Sequence, residues 1–369
     1  MNIAIMSELY PSQNNPYSAM YVHSRVKEYA KKGHRCNVYK LRKKGNINYI
    51  YENIQVYEGD ENFLVHCMQQ NGFDIIAMHA PNPDEKNLVL KNFKDTKVVC
   101  WMHGLDSVSG AFSYPYAGNK LLHPLRFLLR LKEDIRKFIT WHRFIKHFNP
   151  TIVVVSNWMK QEAEKFLHLK LKKSVLIPNP VDDELFQFQQ RTTLKKIICI
   201  RPHSGATYGL DLLIQSFSNS RYSIDLYGKG ELLEYHKQLA KKYNANVVFI
   251  EKLFSKDELK NILKEYDLAI MPSKRDTQGV MVCEMNISGM PVITSDIPGN
   301  KEYVTRGTLR IQNNKWHNID VIIDSIKDKI AQMSHDASID MKKIAAKNRV
   351  IQQELQLLKE ISESNNSTK

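Results

Sequence analysis

The stretch NIAIMSELYPSQNNPYSAMYVHSRVKEYAKKGHRCNVYKL, residues 2–41, decides the fold class. It opens with the apolar run 2–6, passes through a Pro-containing loop, and continues over 21–34 with apolar residues at helical spacing. Gly33 ends this helix, and a second apolar run follows at 36–41. A strand, a helix and a second strand in this order form a βαβ unit, so the sequence predicts a parallel sheet.

The same alternation continues along the chain and then starts again. Buried strands are predicted at 73–80, 97–104 and 150–158, with a helix beginning near Asn157. The strands and helices of the second series are predicted at 195–203, 210–217, 222–231, 247–253, 256–266, 267–273 and 291–296. Because the pattern restarts after a break near 175–195, the sequence predicts two doubly wound α/β domains.

Length and composition agree with two globular domains. The chain has 369 residues, which is more than one hydrophobic core usually holds. With 43% hydrophobic and 25% charged residues, its composition is that of a globular protein. Its five cysteines are scattered among apolar neighbours, as is typical of reduced thiols in a cytosolic protein. The first residues lack the pattern of a signal peptide, and no stretch is apolar enough for a membrane span.

A site is predicted in RDTQGVMVCEMNISGMPVITSDIPG, residues 275–299. A strand precedes this stretch and a helix is predicted from about Val280, so the helix N-terminus lies at the carboxyl edge of a sheet, where ligands bind in open α/β folds. Gly279 permits close approach of a ligand to N–H groups that bind anions. Asp276 and Glu284 bracket this start. They suit a molecule with hydroxyls at both ends and phosphate in the middle; a capping Asp and a solvated Glu are the alternative.

Several motifs together resemble the retaining glycosyltransferases of family 4. The run S-x-x-D-x-x-G-x-x-x-x-E-M…G-x-P-V-I-T-x-D-x-P-G-x-x-E is similar to the donor site of that family. The segments VVVSNWMKQEAEKF, VLIPNPVDDELF, IRP…YGLDLLIQSF and DLYGKGELLEYHK follow in the order and spacing of the family. The resemblance covers most of the chain. It implies the GT-B fold, in which two Rossmann-like domains face each other across a cleft.

The resemblance also implies a division of labour along the chain. Residues 1–175 are expected to form an acceptor-binding domain, and 176–340 a domain that binds a nucleotide-sugar donor. Residues 341–369 are expected to form a helix that packs back toward the first domain, followed by a frayed tail. The implied activity is that of a hexosyltransferase acting with retention of configuration and without a metal ion or another cofactor.

Site residues are implied by matching positions. Glu284 corresponds to the glutamate that binds the ribose hydroxyls, and Asp276 to the acid that contacts the donor sugar. Arg201 corresponds to the arginine that binds the diphosphate, and His103 to a histidine near the transferred sugar; with Asp276 they form the expected catalytic set. The segment whose amides lie close to the diphosphate corresponds to Gly279, Val280 and Met281.

Two positions of the expected donor site depart from the family pattern. Asp276 replaces the usual glutamate and is one methylene shorter. Tyr208 stands where the family has a second diphosphate-binding lysine, so the missing positive charge is expected from Lys274, Arg275 or His203. Tyr208 itself is expected at the donor or in the core.

A third departure lies in the N-terminal loop. Ser18 and Ala19 stand where the family has two glycines, and their small side chains still permit close approach of a donor. Because of the departures at Asp276 and Tyr208, a catalytically silent partner subunit remains an alternative to an active transferase. A nucleotide-sugar epimerase or hydrolase is a further alternative, because GT-B enzymes include relatives that do not transfer a sugar.

Positive charge is concentrated in the first half of the chain. Residues 1–178 carry 26 Lys and Arg against 15 Asp and Glu, a net charge of +11, and the remainder carries 27 against 24, a net charge of +3. Residues 119–148 alone hold eight Lys and Arg against two acids. The absence of a nucleic-acid module or of stacking aromatics argues against a nucleic-acid partner.

Two interpretations of residues 119–148 remain open. Leucine and isoleucine recur there at helical spacing, with Arg126, Arg130, Lys137 and Arg143 largely off the apolar stripe. Either the stripe faces the core and the cations are solvated, or the amphipathic surface lies against an anionic bilayer, with these four cations as its membrane contacts. The second interpretation predicts a cytoplasmic protein on the inner face of the membrane. Family precedent adds a glycan or lipid-linked acceptor in bacterial surface polysaccharide, lipopolysaccharide or wall glycopolymer synthesis.

Overall fold

The structure is a computed structural model that describes residues 1–16, 18–43, 45–115 and 120–364. It divides into two compact units. The first unit comprises 1–113, 125–180 and the C-terminal segment from Asn348, and the second comprises 114–124 and 181–347. The division therefore falls at 180/181, where the sequence analysis expected 175/176. The tail expected to fray includes 365–369, which lie outside the described residues.

The first unit is built on a sheet with the strand order β3-β4-β2-β1-β5-β6-β7-β8. Its strands are β1 (Asn2–Ser7), β2 (Arg35–Leu41), β3 (Ile47–Tyr51), β4 (Ile54–Gly59), β5 (Ile75–His79), β6 (Val98–Met102), β7 (Thr151–Val154) and β8 (Ser174–Leu176). All neighbouring pairs are parallel except β3 with β4, which form an antiparallel hairpin. The helices are α1 (Met20–Lys31), α2 (Glu61–Asn71), α3 (Pro83–Asn92), α4 (Gly110–Ser113), α5 (His123–Phe148) and α6 (Asn157–Leu167), and α13 (Lys347–Glu363) joins them from the end of the chain.

The second unit contains a parallel sheet with the order β11-β10-β9-β12-β13-β14. Its strands are β9 (Ile197–Ile200), β10 (Ile224–Tyr227), β11 (Val247–Ile250), β12 (Leu268–Met271), β13 (Val292–Ser295) and β14 (Thr308–Ile311). Its helices are α7 (Leu210–Ser216), α8 (Leu233–Lys242), α9 (Lys256–Ile262), α10 (Val280–Ile287), α11 (Ile319–Asp324) and α12 (Ile330–Ala345). Two Rossmann-like α/β domains are thus confirmed.

A buried polar network attaches α13 to the first unit. The carboxylate of Glu354 accepts hydrogen bonds from Arg25 Nε at 3.1 Å, from Tyr29 Oη at 2.6 Å and from Trp101 Nε1 at 3.2 Å. Arg25 also donates to Asn179 Oδ1 at 3.1 Å. Because Arg25 and Glu354 are both fully buried, each charge depends on the other for compensation.

Helix α5 corrects one sequence expectation. Lys137, expected to contact a membrane, is 5% exposed and donates to Leu105 O at 2.9 Å and Val108 O at 2.8 Å. The prediction was wrong because the buried Asp134, one turn earlier, pairs with its ammonium at 2.8 Å. The interpretation of a core-facing leucine stripe was also wrong, because Leu125 and most other residues of that stripe are exposed.

The remaining three cations of this set differ in their surroundings. Arg126 and Arg130 are partly buried, and Arg130 donates to Gly110 O at 3.1 Å. Arg143 is exposed. Their contact with a membrane stays a prediction.

Replacing Glu354 with Gln tests the buried network. We expect the free energy of unfolding of the first unit to fall by about 3–5 kcal/mol, because Arg25 would remain buried without a counter-charge. Three of the four tryptophans, Trp101, Trp141 and Trp158, lie in this unit, so urea unfolding followed by tryptophan fluorescence measures it. Glu363→Gln, at a carboxylate whose side chain is 66% exposed, is the matched control. Equal losses in the two variants would contradict the role of the network.

Candidate functional site

Arg201 follows β9 directly and lies at the carboxyl edge of the second sheet. Its backbone N–H donates to Tyr227 O at 3.0 Å, which continues the pairing with β10. The side chain is 6% exposed, and among the described residues its Nε and Nη2 have no hydrogen-bond partner. The guanidinium lies 5.3 Å from the ring centroid of Tyr208. A buried guanidinium with unused donors is a strong site for an oxyanion.

Gly228 lets two backbone segments meet at this edge. A Cβ atom at Gly228 would lie 2.0 Å from Arg201 O, closer than any side chain permits. The glycine turn after β10, visible in the sequence as YGKG, is therefore required for the position of Arg201.

Helix α10 begins at Val280, where the sequence predicted it, and Gly279 is its N-cap. Gly279 offers no side-chain cap to the first-turn N–H groups, among them those of Val280 and Met281. The Asp276 carboxylate accepts from Thr277 N at 2.9 Å, and a Cβ at Gly279 would lie 3.2 Å from its Oδ2. Uncapped N–H groups at a helix start form an anion site.

Burial raises the pKa of Asp276, and the positive charge of Arg201 opposes this effect. The two side chains are therefore electrostatically coupled at the same edge of the sheet. A carboxylate and a guanidinium with unused donors together offer both acceptors and donors to a polar ligand.

Glu284 is 3% exposed and lies in the second turn of α10. The ammonium of Lys256, the first residue of α9, forms an ion pair with its Oε1. The ion pair compensates the buried carboxylate. Since a carboxylate has two oxygens and several acceptor positions, Glu284 retains capacity for further hydroxyl donors.

The three residues expected to supply the positive charge of the missing lysine differ in their surroundings. Lys274 Nζ lies 2.5 Å from Asp211 Oδ2, so Asp211 compensates its charge. Arg275 lies 4.9 Å from the ring centroid of Tyr114. Burial lowers the pKa of His203 to about 4, with a smaller effect of the neighbouring imidazole of His236. His203 is therefore neutral at pH 7 and does not supply the missing charge.

In the first unit, His103 follows β6 at the carboxyl edge of the sheet. Its Nε2 lies 3.4 Å from His79 Nδ1, and its ring centroid lies 4.6 Å from that of Tyr21. The Asp106 carboxylate accepts from the backbone N–H groups of His103 at 3.1 Å and Gly104 at 2.7 Å, and so holds the loop. Burial lowers the pKa of His103 well below its usual value, assisted by the charge of Arg25, so the imidazole is neutral.

Ala19 is the N-cap of α1 and adopts a left-handed conformation with φ 45°. A non-glycine residue is strained in this region by roughly 1–2 kcal/mol. The loop thus keeps a backbone shape suited to glycine although Ser18 and Ala19 occupy the positions. No side chain caps this helix start either.

Sequence reasoning did not identify three residues beside the predicted site. Lys256 lies 28 positions before its partner Glu284, and no local pattern links them. Asp211 reads as an ordinary first-turn acid of α7. His79 has no sequence motif that links it to His103, which lies 24 residues later.

Within the described ranges, no group of three His, Cys, Asp or Glu side chains is arranged to hold a metal ion. Within the same ranges, no helix has both the length and the apolar character needed to cross a membrane.

Comparison with solved structures gives the class of fold. A structure of HepE from Anabaena, in complex with UDP-glucose, matches with a TM-score of 0.72 at 14% identity, over 97% of this chain and 99% of that chain. The fold is therefore that of the GT-B glycosyltransferases.

Family comparisons agree with the fold. Residues 18–185 match the model described as Glycosyltransferase Family 4, and residues 181–350 match the model described as Glycosyl transferases group 1. Together the two models match residues 18–350. The chain therefore belongs to glycosyltransferase family 4, whose members both models describe.

Two relatives show how far the similarity extends. An uncharacterized glycosyltransferase of Methanocaldococcus jannaschii, MJ1178, is 20% identical over 82% of this chain and 75% of its own length. The O-antigen biosynthesis glycosyltransferase WclY of Escherichia coli is 34% identical over 94 residues, which are 24% of this chain and 26% of WclY. The chain is thus a glycosyltransferase, and one of its relatives is a glycosyltransferase of O-antigen biosynthesis.

The neutral state of His203 gives a pH prediction. The unfolded chain takes up a proton near pH 6.5 that the folded unit excludes until about pH 4, so stability is present above pH 6.5 and is lost as the pH falls. We expect His203 to account for a loss of roughly 2 kcal/mol between pH 7 and pH 5.

Urea unfolding at both pH values measures this loss. His203→Gln should lose less stability than the wild type over the interval. His335→Gln, at an exposed histidine of α12, should behave like the wild type. An unchanged pH dependence in His203→Gln would contradict the buried neutral imidazole.

Proposed function

We propose that the protein is a metal-independent, retaining hexosyltransferase that moves a sugar from a nucleoside diphosphate donor to a glycan or lipid-linked acceptor. The observation that carries the donor assignment is the buried guanidinium of Arg201, whose Nε and Nη2 are unused among the described residues. Family membership and the UDP-glucose complex of HepE support a nucleotide-sugar as the ligand.

The main chemical requirement of this reaction is to stabilise the negative charge of the departing diphosphate. The bond between the anomeric carbon and the phosphate oxygen breaks, and a bond from the same carbon to an acceptor oxygen forms. Negative charge develops on the departing oxygen of the diphosphate, and this oxygen takes up the proton that the acceptor hydroxyl loses. Arg201 and the amides that follow Gly279 stabilise this charge, since fixed donors in a buried site act strongly on developing charge.

The remaining site residues hold the donor and the sugar. Glu284 accepts from the ribose hydroxyls while Lys256 keeps its carboxylate oriented. Asp276 accepts from a hydroxyl of the transferred sugar. His103 is neutral and offers one donor and one acceptor to a sugar hydroxyl.

Two further side chains and one backbone segment complete the proposed donor contacts. Tyr208 lies beside Arg201 and contacts the diphosphate or the ribose. The N–H groups after Ser18 and Ala19 approach the donor. Lys274 adds positive potential, weakened by Asp211.

The proposed setting is bacterial surface polysaccharide, lipopolysaccharide or wall glycopolymer assembly on the cytoplasmic side of the membrane. The relative WclY, an O-antigen biosynthesis glycosyltransferase, supports this setting. A lipid-linked acceptor would bring the enzyme to an anionic membrane surface.

A thermal-shift panel of UDP, GDP, dTDP and their common sugar conjugates tests donor binding. We expect one nucleotide to raise the melting temperature of the wild type and to lose this effect in Glu284→Ala. Glu265→Ala, at a carboxylate whose side chain is 59% exposed in the same unit, is the matched control and should keep the effect.

The other outcomes separate the remaining functions. No stabilisation by any nucleotide would overturn the proposal in favour of a silent partner subunit. Turnover of the donor without an acceptor, measured by release of the nucleoside diphosphate, would instead indicate a hydrolase, and a changed sugar in the recovered donor would indicate an epimerase.

A further inference from the structure

Helix α5 and the short helix α4 carry an exposed apolar surface on the first unit. Its members, named here the apolar face, are Phe112, Leu125, Leu128, Leu129, Ile135 and Ile139, with exposed fractions of 75, 57, 61, 61, 53 and 50%. On α5 the aliphatic residues recur at three- and four-residue spacing, so they share one side of the helix. Contiguous exposed apolar surface of this kind marks a contact site.

Two charged residues of α5, Asp134 and Lys137, point inward. The carboxylate of Asp134 accepts from Ser109 Oγ at 2.6 Å, Gly110 N at 2.8 Å and Ala111 N at 3.0 Å. Lys137 adds its two bonds to the carbonyls of Leu105 and Val108. Buried charges of α5 thus fix the segment that carries Phe112, and the aliphatic side chains are left on the outside.

The ring of Phe112 packs edge-on against Phe127, with centroids 5.2 Å apart. This contact holds the exposed ring beside the N-terminal half of α5. The apolar face is therefore made of two segments that are joined by specific contacts.

Basic residues continue the same side of the helix. Lys132 lies four residues after Leu128, Arg143 four after Ile139, and Lys146 three after Arg143, and all three cations are exposed. They form no ion pair with any residue in the described part of the chain. The apolar residues lie over the N-terminal and central turns of α5, with Lys132 among them, and Arg143 and Lys146 add positive charge near its C-terminal end.

We propose that the apolar face is a membrane-docking surface that lies in the interface of an anionic bilayer. The aliphatic side chains and Phe112 enter the boundary of the acyl chains, and Lys132, Arg143 and Lys146 contact anionic headgroups. The sequence predicted an amphipathic surface against a bilayer and named Arg126, Arg130, Lys137 and Arg143 as its contacts. The exposed side chains instead make the apolar residues the main contacts.

Charge complementarity selects the bilayer over a second copy of the chain. A two-fold contact through the apolar face would bring the same uncompensated cations of two copies together, which is unfavourable. An anionic bilayer offers an apolar interior to the aliphatic side chains and negative headgroups to the cations beside them. The inference rests on the proposed function insofar as a lipid-linked acceptor gives the docking its purpose.

Sedimentation of the full chain with vesicles tests the proposal. Vesicles of phosphatidylcholine and phosphatidylglycerol in equal parts should bind the wild type, and vesicles of phosphatidylcholine alone should bind it more weakly. The double variant Leu128→Glu and Ile135→Glu should lose about tenfold or more of its partition into the mixed vesicles, because two apolar side chains no longer enter the bilayer.

A matched control separates docking from a general effect of added negative charge. Val321→Glu changes an aliphatic residue of α11 that is 63% exposed, in the other unit, and it should bind vesicles like the wild type. Because the substituted positions are exposed, the double variant should keep the wild-type circular dichroism spectrum. Arg143→Gln with Lys146→Gln should weaken binding to the mixed vesicles and leave binding to neutral vesicles unchanged.

Three results would overturn the proposal. The first is equal binding of the double variant and the wild type to the mixed vesicles. The second is the absence of vesicle binding by a folded wild type. The third is a wild type that is dimeric and does not bind vesicles, together with a double variant that is monomeric. This result would make the apolar face a contact between copies of the chain. Nucleotide-induced thermal shifts of the same samples report the donor site separately, so loss of docking and loss of the transferase function are distinguishable.

Discussion

A parallel sheet brings the carboxyl ends of its strands to one edge, and this constraint governs the position of every candidate site residue in the structure. In the second unit it places Arg201, at the end of β9, on the same edge as the loop between β12 and α10. In the first unit it places His79 and His103 at the ends of adjacent strands. Helix N-termini lie at the same edges, so both sheets present hydrogen-bond donors that suit a phosphate or a sugar.

Burial gives these groups their chemical character. Arg201 loses water and keeps unused donors, so an oxyanion is its natural partner. Glu284 is equally buried, but Lys256 compensates its charge. The histidines at both edges, His103 and His203, remain neutral because burial disfavours their charged forms. In the second unit, a strong cation and a neutral imidazole at one edge of the sheet suit the diphosphate of the proposed donor.

The sequence predicted what local periodicity determines and missed what contacts between distant residues determine. The alternating strands and helices, and the start of α10 at Val280, follow from local patterns. The β3–β4 hairpin was missed because the largely exposed β3 lacks a clear apolar alternation. The pairs Lys256–Glu284 and Arg25–Glu354 join residues far apart in the chain. Lys137 was misassigned because helical spacing alone does not tell which side of α5 faces the core.

A crystal structure with the stabilising nucleotide bound measures directly where the donor lies on the second unit. The diphosphate should lie on the amides after Gly279 with Arg201 within hydrogen-bond distance, and the ribose hydroxyls should lie on Glu284. A nucleotide bound elsewhere on the second unit, or a diphosphate that leaves Arg201 without a contact, would contradict the central claim that this edge is the donor site.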